Sequence, residues 1–123
     1  MPDAEVSANS FRVSLLAYER GLMLALEGEL DLTGVAAFEA AIEAASCADA
    51  AELILDFGGL TFVDSTGVTA IVAAMTRAQQ TGRPLYGSGV SGQVKRVLEL
   101  TGVLPRLSLV ERPGDDVVWP IDG

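Results

Sequence analysis

Apolar and polar residues alternate from Phe11 to Glu19, with Phe11, Val13 and Leu15 on one side and Arg12 and Ser14 on the other. A period of two marks a half-buried strand. Arg20-Gly21 reads as a turn and Leu22–Leu30 as a second strand, so the two form a hairpin. Asp31–Gly34 reads as a loop, and then the period lengthens. Val35, Phe38, Ile42 and Ala45 line one face of a helix over Val35–Ala48, with Glu39 and Glu43 on its wet side. Leu53–Phe57 is a continuous apolar run bounded by Glu52 and Gly58-Gly59, as a strand buried on both faces requires. Leu60–Asp64 reads as a loop. Val68, Ile71, Val72 and Met75 define a second helix, stopped near Thr81 and capped by Gly82. A short strand starts at Arg83–Tyr86. Val94, Val97, Leu98 and Thr101 mark a third helix ending at Gly102, and Arg106–Val110 reads as a last strand. Pro113–Gly123 shows no period.

After the hairpin, helices and strands alternate, which predicts an α/β fold with a largely parallel sheet and crossover helices. Binding sites in such sheets gather beyond the carboxyl ends of strands. That directs attention to the loops Asp31–Gly34, Gly58–Gly67 and Gly87–Gly92.

Composition narrows the function classes. Half of the 123 residues are hydrophobic, and a single domain of this size buries roughly two-thirds of its unfolded surface. No apolar run approaches the ~18 residues of a membrane span. Met1–Ser10 is polar and acidic, unlike a signal peptide, and is expected to be a flexible N-terminus. The single cysteine, Cys47, cannot form an internal disulfide, which fits a reducing, cytoplasmic setting, and is expected to be a small packing residue. The net charge of −9 opposes binding to nucleic acid. Residues 1–76 hold twelve acids but only Arg12 and Arg20 as bases. This imbalance reads either as ordinary solvated faces or as an acidic surface facing a basic partner protein. With no histidine in the chain, neither a Ser–His–Asp triad nor a histidine zinc site can be built.

Three constellations carry candidate chemistry. In Thr61-Phe62-Val63-Asp64-Ser65-Thr66-Gly67, Ser65 falls where the second helix begins. Ser65 reads either as that helix's N-cap or as a phosphate acceptor, because free N–H groups and the helix dipole favour an anion there. Asp64 repels an added phosphate, so the new charge would act outward, against a bound partner. The second constellation, Gly87-Ser88-Gly89-Val90-Ser91-Gly92, spells the dinucleotide fingerprint, but too little sheet follows it, and glycine turns between strand and helix are common. In the third, Glu27 and Glu29 are two apart on a strand and lie near Asp31. They read as a metal or acid–base pair, or more simply as a solvated strand edge.

The chain resembles the STAS domain family, specifically the anti-sigma factor antagonists. The resemblance rests on Gly28-Glu29-Leu30-Asp31-Leu32-Thr33, on Leu53-Ile54-Leu55-Asp56-Phe57 followed by Leu60-Thr61-Phe62-Val63-Asp64-Ser65-Thr66-Gly67, and on Val94–Gly102. It implies a mixed sheet of four to five strands with helices mainly on one side and an N-terminal hairpin, spanning 11–110, with a C-terminal tail over 111–123. It implies phosphorylation at Ser65, with Thr66 as the alternative acceptor, and a partner-facing surface that includes Asp31, Thr33, Asp64, Ser65, Thr66 and Gly67. The implied partners are an anti-sigma factor that is a serine kinase and a serine phosphatase. No catalytic residue, metal, cofactor, nucleic acid, membrane or small-molecule substrate is expected. An alternative role within the family is a docking subunit of a lipid-transport or sensory complex without phosphorylation. The chain departs from the family pattern in its glycine-rich Tyr86–Gly92 segment and in Pro113, Gly114 and Pro120, which disfavour a long terminal helix.

Overall fold

The computed structural model describes residues 4–113. Their order is β1 (Ala4–Ala8), β2 (Phe11–Tyr18), β3 (Gly21–Leu30), α1 (Val35–Cys47), β4 (Glu52–Val63), α2 (Ser65–Thr81), β5 (Leu85–Ser88) and α3 (Gly92–Leu100). A 3-10 turn at Leu104–Arg106 and β6 (Ser108–Leu109) follow. One sheet contains six strands in sequence order; β1–β2 and β2–β3 are antiparallel, and β3–β4, β4–β5 and β5–β6 are parallel. The α/β class, the mixed sheet and the β2–β3 hairpin agree with the sequence pattern. The strand count exceeds the expected four to five.

The added strand is β1, within the stretch expected to be flexible. It carries one large apolar residue, Val6, and gains its place through the backbone ladder with β2 and an ion pair between Glu5 and Arg12 Nε at 3.1 Å. The last strand is shorter than expected, because the 3-10 turn occupies Leu104–Arg106. The expected tail begins at residue 111; its residues 114–123 lie outside the described ones.

The longest strand, β4, corrects two further expectations. Gly58-Gly59 does not end it, and Leu60–Val63 is strand rather than loop. The β3–β4 register slips between Ala25↔Asp56 and Glu27↔Gly59. A Cβ on Gly59 would lie 2.8 Å from Glu27 Cγ and 3.0 Å from Leu26 O, so glycine permits the bulge and the strand continues past it.

All three helices pack on one face of the sheet. Phe38, Ala41 and Ile42 of α1, Ile71 and Ala74 of α2, and Val94 and Leu98 of α3 join inward residues of β2, β3 and β4 in one core. Phe11 and Phe38 meet edge to face at 6.4 Å. Arg83 donates to the carbonyls of Ala45 and Ala48, satisfying groups at the end of α1. Gly82 ends α2 in the left-handed region at φ 71°. Cys47 is free and exposed near Glu43, not a packing residue.

Candidate functional site

The parallel strands β3 and β4 end side by side, with Leu30 opposite Val63. Each then turns through the same three-residue pattern, Asp-x-Thr. In the first turn, Asp31 Oδ1 accepts from the Thr33 N–H at 2.9 Å and from the Thr33 hydroxyl at 2.7 Å. In the second, Asp64 Oδ1 accepts from the Thr66 hydroxyl at 2.6 Å and from the Gly67 N–H at 3.0 Å. Short side-chain acceptors of this kind replace backbone hydrogen bonds at turns and helix starts. The Asp64 N–H donates to Leu30 O, and the Thr61 hydroxyl to Gly28 O, so both turns are tied to one strand end.

Asp64 is therefore the N-cap of α2, and Ser65 is the first residue inside the helix. This decides between two neighbouring residues that are both good caps by type. The Thr66 hydroxyl, then the Gly67 amide, hold the Asp64 carboxyl below the ordinary carboxylate range. Relieved of capping, Ser65 is exposed, and its hydroxyl has no hydrogen-bond partner among the described residues. Its carbonyl accepts from the Thr69 hydroxyl. Gly67 is buried where only glycine fits, since a Cβ would lie 2.5 Å from Leu30 O and 2.6 Å from Val63 Cγ2.

The predicted residues Asp31, Thr33, Asp64, Ser65, Thr66 and Gly67 thus meet at one end of the molecule. Three others escaped the sequence reading. Gln93, near the start of α3, pairs its amide with both backbone groups of Val63 at 3.0 Å, bolting α3 to the entry of α2. Leu32 is 73% exposed and Phe62 38%, two large apolar side chains flanking the turns. Their only sequence signal is an apolar residue inside each Asp/Thr-rich turn region.

The other two constellations separate. Glu27 is paired with Arg12, and a bulge with Gly28 at φ 91° falls between Glu27 and Glu29, so the acids do not act as a unit. Gly89 packs against Gly58 and Asp56, and among the described residues only the two-residue β6 extends the sheet beyond β5. Among the described residues no three His, Cys, Asp or Glu side chains cluster as a metal site would require, and no helix is long and apolar enough to cross a membrane. A depression of about 690 Å³ beside Tyr18, Arg20, Asp49 and Glu52 lies at the opposite end of the strands.

The STAS domain family model matches residues 12–115. The chain belongs to the STAS domain family. No curated protein sequence matches it. Among solved structures, the STAS chain is similar to an anti-sigma factor antagonist from Mycobacterium paratuberculosis, with a TM-score of 0.73 at 21% identity over 87% of this chain and 89% of that one. It is similar to the anti-sigma factor antagonist SpoIIAA in its unphosphorylated form, with a TM-score of 0.69 at 24% identity over 85% and 90% of the two chains. For the Bacillus cell fate determinant SpoIIAA in the phosphorylated form the values are 0.65 and 23%, over 85% and 94%.

Proposed function

We propose that this STAS domain is an anti-sigma factor antagonist whose docking surface is the paired turns Asp31–Thr33 and Asp64–Gly67. Unphosphorylated, it binds an anti-sigma factor and so frees a sigma factor. The anti-sigma factor is also the kinase that phosphorylates Ser65, and a serine phosphatase reverses the modification. The chain acts by docking and needs no catalytic group of its own.

The observation that carries this reading is the division of labour at the start of α2: Asp64 caps the helix, leaving an exposed Ser65 hydroxyl with no hydrogen-bond partner among the described residues. The Thr66 hydroxyl already donates to Asp64, which favours Ser65 over Thr66 as the acceptor. A phosphate adds about −1.5 to −2 charges at a helix N-terminus that tolerates an anion. The penalty falls on the complex instead, where a desolvated and unpaired charge opposes binding by several kcal/mol, or orders of magnitude in affinity. Support also comes from the named relatives in structure, which include SpoIIAA with and without its phosphate.

The test treats the chain with candidate anti-sigma kinases and Mg-ATP, maps the phosphate by mass spectrometry, and compares partner affinity before and after. Phosphate at Ser65 with a loss of binding is expected. Phosphate at another residue, or undiminished binding by the Ser65 phosphoform, refutes the switch.

A further inference from the structure

Asp56 is a buried carboxylate that takes no part in the two turns. It shares the helix-free face of β4 with Ile54, two residues before it. Its Oδ1 accepts from the Ser88 hydroxyl at 3.0 Å and from the Gly58 N–H at 3.2 Å. Its Oδ2 meets Arg112 Nε at 3.1 Å. A carboxylate taken out of water requires partners of this kind, but the two oxygens hold different things. Oδ2 meets a side chain that is 55% exposed, whereas Oδ1 ties together two segments of chain that both lead to the start of α2.

The first segment is the outer half of β4. β5 pairs with β4 from Leu53↔Leu85 to Asp56↔Ser88, so beyond Asp56 the strand partner of β4 among the described residues is β3 alone. That remaining ladder slips twice, between Ala25 and Glu27 and between Gly28 and Glu29. The second segment leaves β5 at Ser88, turns at Gly89 with φ 68°, and enters α3. Gly89 lies close against the first segment, since a Cβ there would be 2.8 Å from Gly58 N and 2.9 Å from Asp56 Oδ1. The segments meet again where Gln93 bonds both backbone groups of Val63, one residue before the Asp64 cap. Ser91, the N-cap residue of α3, makes no side-chain capping bond among the described residues. Residues 58–63 and 88–93 thus form a closed frame pinned at one end by Asp56 Oδ1 and at the other by Gln93.

We propose that Asp56 is a positioning residue for the docking turns and acts through Oδ1, which pins the frame carrying Asp64 and Ser65, while Oδ2 serves to balance the buried charge against Arg112. The inference rests on the docking reading for what the turns do, but where the turns are held is measured without any partner. Asparagine keeps an Oδ1 that accepts from Ser88 and Gly58 and removes the charge, so Asp56→Asn separates the two oxygens. Arg112→Gln removes the cation and leaves the frame its acceptor.

The experiment is native-state hydrogen exchange followed by NMR in the full chain. The amides of Val63 and Gly67, which donate to Gln93 and to Asp64, are compared with those of the core residues Leu24 and Ala41. A merely structural loss lowers protection at all four amides together, whereas loss of a local pin lowers it at the first two. Asp56→Ala should speed exchange at Val63 and Gly67 several-fold more than at Leu24 and Ala41. Asp56→Asn and Arg112→Gln should leave that ratio as in the wild type. Ser88→Ala, which removes one donor to Oδ1 and keeps the carboxylate, should show the same local pattern and decides the matter should Asp56→Ala not fold. Affinity for the anti-sigma kinase that modifies Ser65 should then fall roughly three- to thirtyfold in Asp56→Ala and recover in Asp56→Asn. Uniform acceleration in Asp56→Ala and Ser88→Ala overturns the proposal, as does Asp56→Asn behaving like Asp56→Ala, or a local effect with wild-type affinity. A wild type that binds no anti-sigma factor refutes the docking reading instead, and leaves the exchange pattern to decide what Oδ1 holds.

Discussion

Replacing Asp64 and Ser65 one at a time separates holding the helix from switching the surface. Asp64→Ala removes the acceptor of the Gly67 N–H and of the Thr66 hydroxyl. Loss of an N-cap costs about 0.5–2 kcal/mol, and a chain of this length loses roughly 3–6 °C of Tm per kcal/mol. Ser65→Ala removes an exposed hydroxyl that has no partner among the described residues, so its effect should stay within about 0.5 kcal/mol. Ser65→Asp adds an anion in the first turn, which the helix dipole favours by about 0.3–1 kcal/mol. The expected Tm order is Ser65→Asp at or slightly above wild type, Ser65→Ala close to it, and Asp64→Ala clearly below. The sign with pH follows from the depressed Asp64 carboxyl. A group whose pKa falls on folding stabilises above its unfolded value, ordinarily near 3.8, and that contribution is lost as pH drops through the folded value. The gap between wild type and Asp64→Ala should therefore be full at neutral pH and shrink on acidification below about 4. Thermal melts at several pH values measure both effects. If Ser65→Ala is as destabilising as Asp64→Ala, or the gap is unchanged in acid, the assignment of the cap to the Asp64 carboxylate is wrong.

Gly67→Ala should destabilise the domain by about 1–3 kcal/mol in urea unfolding, since the new methyl would meet the Leu30 carbonyl at 2.5 Å; an unchanged midpoint would mean the two strand ends separate easily. Gln93→Ala removes two hydrogen bonds to the Val63 backbone and should cost about 1–3 kcal/mol, with faster hydrogen exchange at the Val63 amide as the specific readout. Leu32→Ala and Phe62→Ala, both at exposed positions, should leave Tm nearly unchanged. Each should weaken binding to the cognate partner, by roughly thirtyfold if it is a buried anchor worth about 2 kcal/mol; wild-type affinity in both would place the docking surface elsewhere.

Period together with the Arg20-Gly21 turn revealed the hairpin, and period alone the helix faces, because Phe11, Val13 and Leu15 alternate cleanly and Phe38, Ile42 and Ile71 follow the helical repeat. β1 carries the same alternation, with Ala4, Val6 and Ala8 set against Glu5 and Ser7, but over only five residues with one large apolar side chain. Its order comes from pairing with β2 and from Val6 and Ala8 packing on the core. Gly58-Gly59 misled for a physical reason: a glycine pair signals a strand end as readily as a bulge, and only the approach of Glu27 and Leu26 distinguishes them. At the site, the family resemblance named the residues but could not divide their local roles. Asp64 and Ser65 are equally good caps by type. The choice lies in the backbone, where Asp64 is extended at φ −112° and ψ −171° and Ser65 is already helical. Gln93 is thirty residues from Val63 in the chain and carries no local signature of its contact.

The same geometry favours a switch that changes the surface and leaves the fold alone. Everything around Ser65 is tied down independently of its hydroxyl: Asp64 to Gly67 and Thr66, Val63 to Gln93, and Gly67 against Leu30. A modification at Ser65 would break none of these contacts. A phosphate at Ser65 would therefore be read by whatever faces the exposed turn, and its free-energy effect would be found in the bound complex. Had Ser65 been the N-cap, phosphorylation would have altered the group holding α2, coupling the switch to stability. With Asp64 as the cap, the two properties can vary separately.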